Sequence, residues 1–364
     1  MTGLWLNDNF FKHKITIPAR LALFSLSSEV YLTETLISIG NMGTSVYTYR
    51  FLSTIFCKLL FWGFLLNGVY LIAQPTTCMP EMVFVEGGEF DMGCTAEQHQ
   101  AMVDNGFSEG CHTDWAKDEL PVHTISLRQF FIGKYEVTQG QWAAIMPKDT
   151  MIFNAGMGVN YPVYHVSWYD AITFCNRLSI REGFTPCYYA DPKFIHVFDS
   201  LVGRARDYVN VYWNTHADGY RLPIEAEWEY AARGGNQSQQ FAYAGSHAID
   251  EVAIYDKNNT EKGGKPVGTK APNELGLYDL SGNEWEWVWD WHLENYYRDS
   301  PECQPIGPVG SDNKVCRGGN WRSSAAYLRV ANRIGLYPGL RTFNIGFRIA
   351  RGKMEAGYCS TKGT

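Results

Sequence analysis

The fold is decided by two stretches of sequence, GYRLPIEAEWEYAARGG (residues 219–235) and NELGLYDLSGNEWEWVWDW (residues 273–291). In the first, Pro223 suits the first turn of a short helix, and the glycines after Arg233 suit its end. The first stretch contains one tryptophan and the second contains four, and this side chain most often fills a core. We therefore expect five core tryptophans: Trp228, Trp285, Trp287, Trp289 and Trp291. Glu225, Glu227 and Arg233 are interpreted as a buried polar network in preference to catalytic acids.

The rest of the sequence is compatible with a large folded domain. Of its 364 residues, 45% are hydrophobic and 19% are charged, which supplies enough apolar surface for a sizeable core and excludes wholesale disorder. The 31 basic and 38 acidic residues give a net charge of -7. Nucleic acid is therefore not expected as a partner, because phosphate recognition begins with a basic face.

Short alternating runs from Met79 onward predict strands separated by turns. These runs are MVFVEGGEFDMG (82–93), HTISLRQFFIGKYEVT (123–138) and KPVGTK (265–270). Thr138 and Ser167 each precede a helical pattern and are expected to cap a helix. With no linker, low-complexity tract or repeat, the sequence predicts an α+β fold with few helices, long ordered loops and one core over about 285 residues.

Residues 1–73 differ in character from the rest. Residues 59–73, LLFWGFLLNGVYLIA, form a short apolar run behind Arg50 and Lys58, as in a secretory signal peptide. The run is shorter than the ~20 residues that a membrane span needs. We expect a start at Met42, a signal peptide over residues 42–73, a domain over 79–352 and a tail over 353–364, with residues 1–41 untranslated or disordered.

These N-terminal features predict a protein that is secreted or displayed at the cell surface of a bacterial envelope. The alternative is a retained N-terminal anchor, which would be the protein's one contact with a membrane. Eight of the nine cysteines follow residue 73, an even number for an oxidising compartment. Short loops make three pairs candidate disulfides: Cys94 with Cys111, Cys175 with Cys187, and Cys303 with Cys316. The spacing does not favour a structural zinc site.

Five further motifs stand in order with the two opening stretches. They are MVFVEGGEFDMG (82–93), ELPVHTISLRQFFIGKYEVTQGQW (119–142), YPVYHVSWYDAITFCNRLS (161–179), CRGGNWR (316–322) and NIGFRIAR (344–351). The series resembles the formylglycine-generating enzyme or sulfatase-modifying-factor domain across essentially all of residues 80–352. The resemblance implies a C-type-lectin-like fold: a small twisted antiparallel sheet, two main helices, and loops held by aromatic packing and buried polar groups.

The resemblance also bears on catalysis. Family members that oxidise a sulfatase cysteine to formylglycine use two reactive cysteines after the GG(S/N)(F/W/Y) motif, where thiolates bind copper(I) and activate oxygen. The matching positions here are Ser323 and Leu328, so no copper is expected. The related sulfoxide synthases use an iron site built by histidines of an extra N-terminal domain, which we do not find before residue 79. We therefore expect a protein that is not an enzyme, with an oxidase as the disfavoured alternative.

The segment RSSAAYLRVANRIGLYPGLRTF, residues 322–343, contains no Lys, Glu, Gln, Met or Trp. Every residue in it can be encoded by a codon ending in a pyrimidine, as happens when Asn or Tyr codons are randomised at their adenines. Its frame, GGNWxxxAxxxRxANRxxxxPxxRxxNIGFR, resembles the variable region of the C-type-lectin proteins diversified by retroelements. That resemblance implies a fixed loop frame and an exposed ligand-binding face, with an ordinary undiversified loop as the alternative.

We expect Arg329, Arg333, Arg341 and Arg348 to hold this frame through buried carbonyls and carboxylates. The remaining side chains form the candidate ligand-binding set: Arg322, Ser323, Ser324, Tyr327, Ile334, Leu336, Tyr337, Leu340, Thr342 and Phe343. Aromatic and arginine anchors among small residues are typical of a protein-binding paratope. The expected partner is an extracellular protein or other macromolecule. The competing interpretation places Ile334, Leu336 and Phe343 in the core.

A calcium site is the other candidate. In LYDLSGNEWEW (277–287), four residues fall where the family's calcium ligands lie: Asp279, Gly282, Glu284 and Glu286. Carboxylate and carbonyl oxygens within eight residues suit calcium, which would stiffen the loop. The alternative is a turn in which a carboxylate caps buried amides.

Overall fold

The structure is a computed structural model that describes residues 79–147, 156–201 and 210–354. The chain divides into two compact units, residues 1–76 and 77–364, and all described residues lie in the second. The expectations for residues 1–41 and 42–73 fall outside the described residues, as does the tail beyond residue 354. Within the described ranges, none of the helices has the length and apolar character needed to cross a membrane.

Short elements and long loops make up the described part of the chain. Its α-helices are α1 (Ala96–Asp104), α2 (Gln139–Ile145), α3 (Trp168–Arg181), α4 (Glu225–Ala232) and α5 (Ile249–Val252). Its strands are β1 (Met82–Val85), β2 (Gly88–Met92), β3 (His123–Leu127), β4 (Phe130–Gly133), β5 (Tyr188–Tyr189), β6 (Tyr212–Trp213), β7 (Tyr220–Arg221), β8 (Trp285–Trp291), β9 (Lys314–Arg317), β10 (Arg333–Leu336), β11 (Ile345–Phe347) and β12 (Ala350–Arg351). The predicted α+β class with few helices is confirmed.

The strands form two four-stranded sheets and two pairs. The first sheet has the order β1-β4-β12-β7, and the second has the order β10-β9-β8-β11. In the second sheet β11 runs parallel to β8, whereas β9 runs antiparallel to both β8 and β10. The smaller pairs are β2 with β3 and β5 with β6. Strand β10 is therefore an edge strand, and it carries part of the 322–343 segment.

The two predicted helix caps are confirmed. Thr138 Oγ1 accepts a hydrogen bond from Gln141 N at 3.2 Å, and the Gln141 side chain accepts one from Thr138 N at 2.9 Å. Ser167 and Asp170 form the same reciprocal pair at the start of α3. Each cap satisfies backbone N–H groups that the first helical turn cannot bond internally.

Three sequence-based expectations about elements were wrong. Pro223 precedes Ile224, the N-cap of α4, so it lies before the helix and not in its first turn. Residues 265–270 form a loop, because their amides bond to side chains such as Asn283 and Asp279 and not to a strand. Helix α1 was not expected, since its sequence AEQHQAMVD shows little apolar periodicity.

Three of the five expected core tryptophans, and the charged side chains of the expected polar network, are buried as predicted. Trp228 and Trp287 are fully buried and Trp285 nearly so, while Trp289 and Trp291 are half-buried. Glu227 pairs with Arg221 through two bonds of 2.6 and 2.7 Å. The other expected members of the network are also buried and paired, Glu225 with Arg333 and Arg233 with Glu229. The polar-network interpretation is confirmed.

One of the three candidate disulfides is present. Cys94 and Cys111 are bonded, whereas Cys175, Cys187 and Cys316 are free and buried. The pairing of Cys175 with Cys187 was wrong, because both thiols are packed as apolar groups in the main hydrophobic cluster. The pairing of Cys303 with Cys316 was also wrong. Cys316 lies in central strand β9, whereas Cys303 bridges to Ser126 in β3 and is itself disulfide-bonded.

Candidate functional site

The two positions that match the family's reactive cysteines have structural roles here. Ser323 sits in a turn, where its N–H donates to Asn320 O at 2.9 Å and its Oγ accepts from Asn320 N at 3.1 Å. Leu328 is 0% exposed and belongs to an apolar cluster with Ala101 and Tyr243. Neither position carries a soft ligand for copper(I).

The free thiols that the structure describes are not poised for chemistry either. Cys175, Cys187 and Cys316 are buried, and burial raises the pKa of each thiol, that of Cys187 to about 12. A raised pKa keeps a cysteine in its unreactive thiol form. Among the described residues, the free cysteines therefore fill space and offer no thiolate.

Residues 322–343, here called the candidate segment, are held by buried arginines. Arg329 donates to both oxygens of Glu119 at 2.8 and 2.7 Å, and Arg333 donates to both oxygens of Glu225 at 2.7 and 2.8 Å. All four side chains are at most 2% exposed. Such planar, two-bond pairs fix both position and orientation.

Two more arginine–carboxylate pairs hold the end of the candidate segment and the residues that follow it. After it, Arg348 donates to both oxygens of Glu286 at 2.7 and 2.6 Å. Within it, Arg341 donates to both oxygens of Asp170 at 2.7 and 2.9 Å, although its own side chain is 49% exposed. The four arginines expected to hold the frame are thus all paired with carboxylates. Each positive charge is therefore balanced by a carboxylate of the same protein.

The candidate ligand-binding residues divide into two groups by exposure. Arg322, Ser324, Leu340 and Phe343 are exposed. The half-buried group comprises Ser323, Tyr327, Ile334, Leu336, Tyr337 and Thr342. The structure therefore gives every member of the set some solvent contact, with four side chains standing furthest out.

The two ends of the candidate segment meet. The Arg322 guanidinium carbon lies 5.8 Å from the ring centre of Trp321 and 5.5 Å from that of Phe343. The rings of Trp321 and Phe343 are themselves 5.9 Å apart. Arg322 and Phe343, 21 positions apart in sequence, thus form one exposed cationic and aromatic patch above the buried ring of Trp321.

The half-buried members contact the core with part of their surface. Ile334 and Leu336 lie on edge strand β10 and pack against the main hydrophobic cluster. Tyr327 packs on Trp115 with ring centres 4.7 Å apart. These three side chains therefore contribute to packing as well as to the surface. For Ile334 and Leu336 this partly agrees with the competing interpretation, which placed them in the core.

The four residues of the candidate calcium site have different surroundings. Glu284 is fully buried, and neither carboxylate oxygen has a hydrogen-bond partner. Asp279 is also buried and accepts one bond, from Gly268 N at 2.7 Å. Gly282 forms a tight turn whose N–H donates to Gly318 O at 2.8 Å. Glu286 does not fit as a ligand, because Arg348 occupies both of its oxygens and Trp228 Nε1 donates to one of them at 2.7 Å.

Several buried carboxyl groups lie close together at the candidate calcium site. Burial raises the pKa of Glu284 well above its usual range and that of Asp279 to about 6. Burial, followed by the charge of Asp279, likewise raises the pKa of Glu136, whose oxygens accept from Asn283 Nδ2 at 2.6 Å and Glu284 N at 2.9 Å. A buried carboxylate without a partner is costly unless it is neutralised. Glu284 is therefore the residue here that fits a hard cation.

A second feature near the candidate segment was not foreseen from the sequence. The Nζ of buried Lys314 lies 3.8, 4.1 and 4.6 Å from the ring centres of Trp291, Trp168 and Trp289. The recurrence of tryptophan at every second position of β8 was the available signal, because alternate strand residues share a face. What brings Lys314 opposite Trp291 is the register between β8 and β9, which the sequence does not specify.

Comparison with known families identifies the fold. A sequence model described as "Sulfatase-modifying factor enzyme 1-like domain" matches residues 70–353. The chain is 36% identical over 303 residues to "Chaperone protein LppX" of Paenibacillus barcinonensis, covering 76% of this chain and 91% of that protein. It is 31% identical over 301 residues to "Formylglycine-generating enzyme" of Streptomyces coelicolor, covering 74% of this chain and 88% of that enzyme.

Solved structures give a consistent result. "Treponema denticola variable protein 1" superposes with a TM-score of 0.62 at 30% identity, covering 74% of this chain and 94% of that one. "PvdO from Pseudomonas aeruginosa" superposes with a TM-score of 0.54 at 24% identity, covering 76% of this chain and 95% of that one, and so supports the fold alone. The expected resemblance to both formylglycine-generating enzymes and variable proteins is confirmed, with their C-type-lectin-like fold. Proteins named as a chaperone and as a variable protein stand beside enzymes among these relatives.

Proposed function

The chain belongs to the sulfatase-modifying factor enzyme 1-like family, and we propose that this member is a non-catalytic binding protein. The observation that carries the proposal is the occupancy of the two catalytic positions: a turn-forming Ser323 and a fully buried Leu328 stand where the oxidases need thiolates. What remains exposed nearby is a surface of arginine, aromatic and aliphatic side chains on a frame of buried ion pairs. Arginine and aromatic side chains are enriched in protein-binding interfaces, which supports a binding role.

The proposed ligand is a protein or other macromolecule met outside the cell. The exposed side chains of Arg322 and Phe343, which lie over the buried ring of Trp321, combine a cation with an aromatic ring, residue types that are enriched in protein interfaces. The candidate segment has four arginines and no acidic residue, although the chain carries a net charge of -7. Because three of these arginines are paired with carboxylates, Arg322 supplies the free charge of the patch.

We propose further that the candidate segment is diversified by a retroelement. The 30%-identical variable protein of Treponema denticola supports this, together with the absence of Lys, Glu, Gln, Met and Trp from residues 322–343. Sequencing the surrounding DNA tests it. We expect a near-identical copy of the segment that differs only at adenines and lies beside a reverse transcriptase. A genome without such a copy would leave the segment fixed.

A second candidate function is an assembly or scaffold protein of the envelope with a fixed loop. The 36%-identical relative named as a chaperone favours it. The absence of a template copy, combined with identical segment sequences in several isolates, would make this the leading proposal. Substitutions at Arg322 and Phe343 would then impair envelope assembly and not capture of a variable ligand.

The oxidase alternative is tested by oxygen consumption with copper and a cysteine-containing peptide. We expect no turnover above buffer, because serine and leucine do not bind copper(I) at these positions. The matched control is a formylglycine-generating enzyme under the same conditions. Clear turnover by this protein would overturn the non-catalytic proposal.

We also propose that calcium binds at Glu284 and stiffens the turn that leads into the candidate segment. Glu284→Gln is the discriminating variant. Calcium should raise the melting temperature of the unaltered protein but not of Glu284→Gln, and without calcium the variant should be at least as stable, because it removes an unpartnered buried carboxylate. Exposed Asp256→Asn serves as a control that keeps the calcium response. An equal calcium response in Glu284→Gln would exclude this site.

A further inference from the structure

A cavity of about 370 Å³ opens beside the candidate segment. It lies between the start of α3, the end of β8, the loop of residues 309–312 and Tyr337 with Pro338 of the segment. Its walls are largely aromatic, with Trp168, Trp289 and Trp291 among the lining residues. This volume falls within the range of small-molecule sites, which are mostly apolar with a few placed polar groups.

The polar lining residues are Asn210, Ser311, Asp312 and Lys314, of which Asn210 and Asp312 are exposed and Lys314 alone is buried and cationic. Its Nζ donates to Trp289 O at 2.7 Å and otherwise faces the three indole rings. Among the described residues, no carboxylate lies within ion-pair distance of Nζ. The neighbouring Asp290 carboxylate is turned to another donor, since it accepts from Glu225 N at 2.7 Å.

Lys314 therefore differs from the buried arginines of this fold. Arg329 and Arg333 each face a carboxylate through two bonds, so their charge is balanced within the protein. The Lys314 ammonium contacts ring faces and one carbonyl, and the Asp290 carboxyl acts on it only from beyond ion-pair distance. Accordingly, burial lowers the pKa of Lys314 well below its usual range. A buried lysine of this kind gains strongly from an anion placed next to it.

The mouth of the cavity suits a flat apolar group. Tyr337 and Trp291 are half-buried there, and Val309, also a lining residue, is fully exposed to solvent. A ring stacked against these side chains would cover apolar surface that is otherwise in contact with water.

We propose that this cavity binds an aromatic carboxylate, with the ring against the tryptophan walls and the carboxylate paired with Lys314. The proposal names a small-molecule site that is separate from the exposed patch of Arg322 and Phe343. It does not depend on whether the candidate segment is diversified or binds a macromolecule.

The test compares indole-3-acetate with indole-3-acetamide, which has the same ring but no charge. Binding is measured by isothermal titration calorimetry. The unaltered protein should bind the carboxylate about tenfold more tightly than the amide, since only the carboxylate can form a charge-assisted hydrogen bond with Lys314. Lys314→Met, which keeps the length of the side chain, should bind the two probes equally.

Two further variants separate this site from its neighbours. Tyr337→Ala should weaken the binding of both probes without changing the preference for the carboxylate, because it removes an aromatic side chain from the cavity wall but leaves the charge of Lys314 in place. Phe343→Ala should leave probe binding unchanged even if it abolishes capture of a macromolecular ligand. The proposal is overturned if the unaltered protein binds neither probe or does not prefer the carboxylate, a comparison that stands even if Lys314→Met fails to fold. It is equally overturned if folded Lys314→Met keeps the preference.

Discussion

Replacing Arg329 with methionine should destabilise the protein by about 3–5 kcal/mol, the range for removing one partner of a buried ion pair. Arg329 and Glu119 are both 0% exposed, and their two bonds measure 2.8 and 2.7 Å. In the variant, Glu119 would keep a bond of 3.1 Å from Asn332 Nδ2 but no positive charge. Urea denaturation followed by tryptophan fluorescence gives the change in free energy of unfolding.

Arg322→Met is the matched control for this prediction. Its side chain is exposed and lies over the rings of Trp321 and Phe343, so the change should alter stability by less than about 0.5 kcal/mol. The double variant Arg329→Met/Glu119→Gln should recover part of the loss, because it removes the unpaired charge as well. Equal costs for Arg329→Met and Arg322→Met would show that the ion pair does not hold the segment.

The contrast between these two arginines explains how one sequence segment can combine a fixed frame with an open surface. Arg329 and Arg322 have the same side chain and lie seven positions apart in sequence. One is paired with a buried carboxylate from a distant part of the chain, and the other is directed to solvent over aromatic rings. Variation at Arg322 would therefore leave the fold intact, whereas variation at Arg329 would not.

Local chemistry made some features of the fold predictable. The reciprocal caps at Thr138 and Ser167 involve residues three positions apart, so the sequence contains both partners. The tryptophan-rich stretch at residues 285–291 forms a strand, and the large apolar side chains of Trp285 and Trp287 lie in the core. The arginine frame was also predictable from the family resemblance, as far as the identity of the arginines.

The features that escaped prediction depend on contacts distant in sequence. The partners of Arg329 and Arg333 lie 210 and 108 positions away, and no local pattern selects them. The cysteine pairs 175 with 187 and 303 with 316 were chosen for short loops, but Cys175, Cys187 and Cys316 are buried in the core as free thiols and Cys303 is bonded elsewhere. The position of Lys314 against the tryptophan rings likewise depends on the register of β8 and β9. A shift of that register by one residue would move the lysine to the other face of the sheet.

The largest effect of a single added methyl group is expected at Gly282. Its φ of 88° is in the left-handed region, and a Cβ there would lie 2.2 Å from Ile254 O. The left-handed backbone alone costs an alanine about 1–2 kcal/mol. Overlap with a backbone oxygen, which cannot rotate away as a side chain can, should bring the total for Gly282→Ala to roughly 3–5 kcal/mol.

Gly276→Ala isolates the two contributions. Gly276 has a similar φ of 75°, but a Cβ there would meet nothing within 4 Å, so only the conformational cost should appear. Thermal and urea denaturation of both variants measure the difference. The turn at Gly282 also connects to the candidate segment, because Gly282 N donates to Gly318 O and Trp321 N donates to Asn283 O, both at 2.8 Å. Gly282→Ala should therefore weaken ligand capture as well as stability, whereas equal costs for the two variants would mean that the turn relaxes freely away from Ile254.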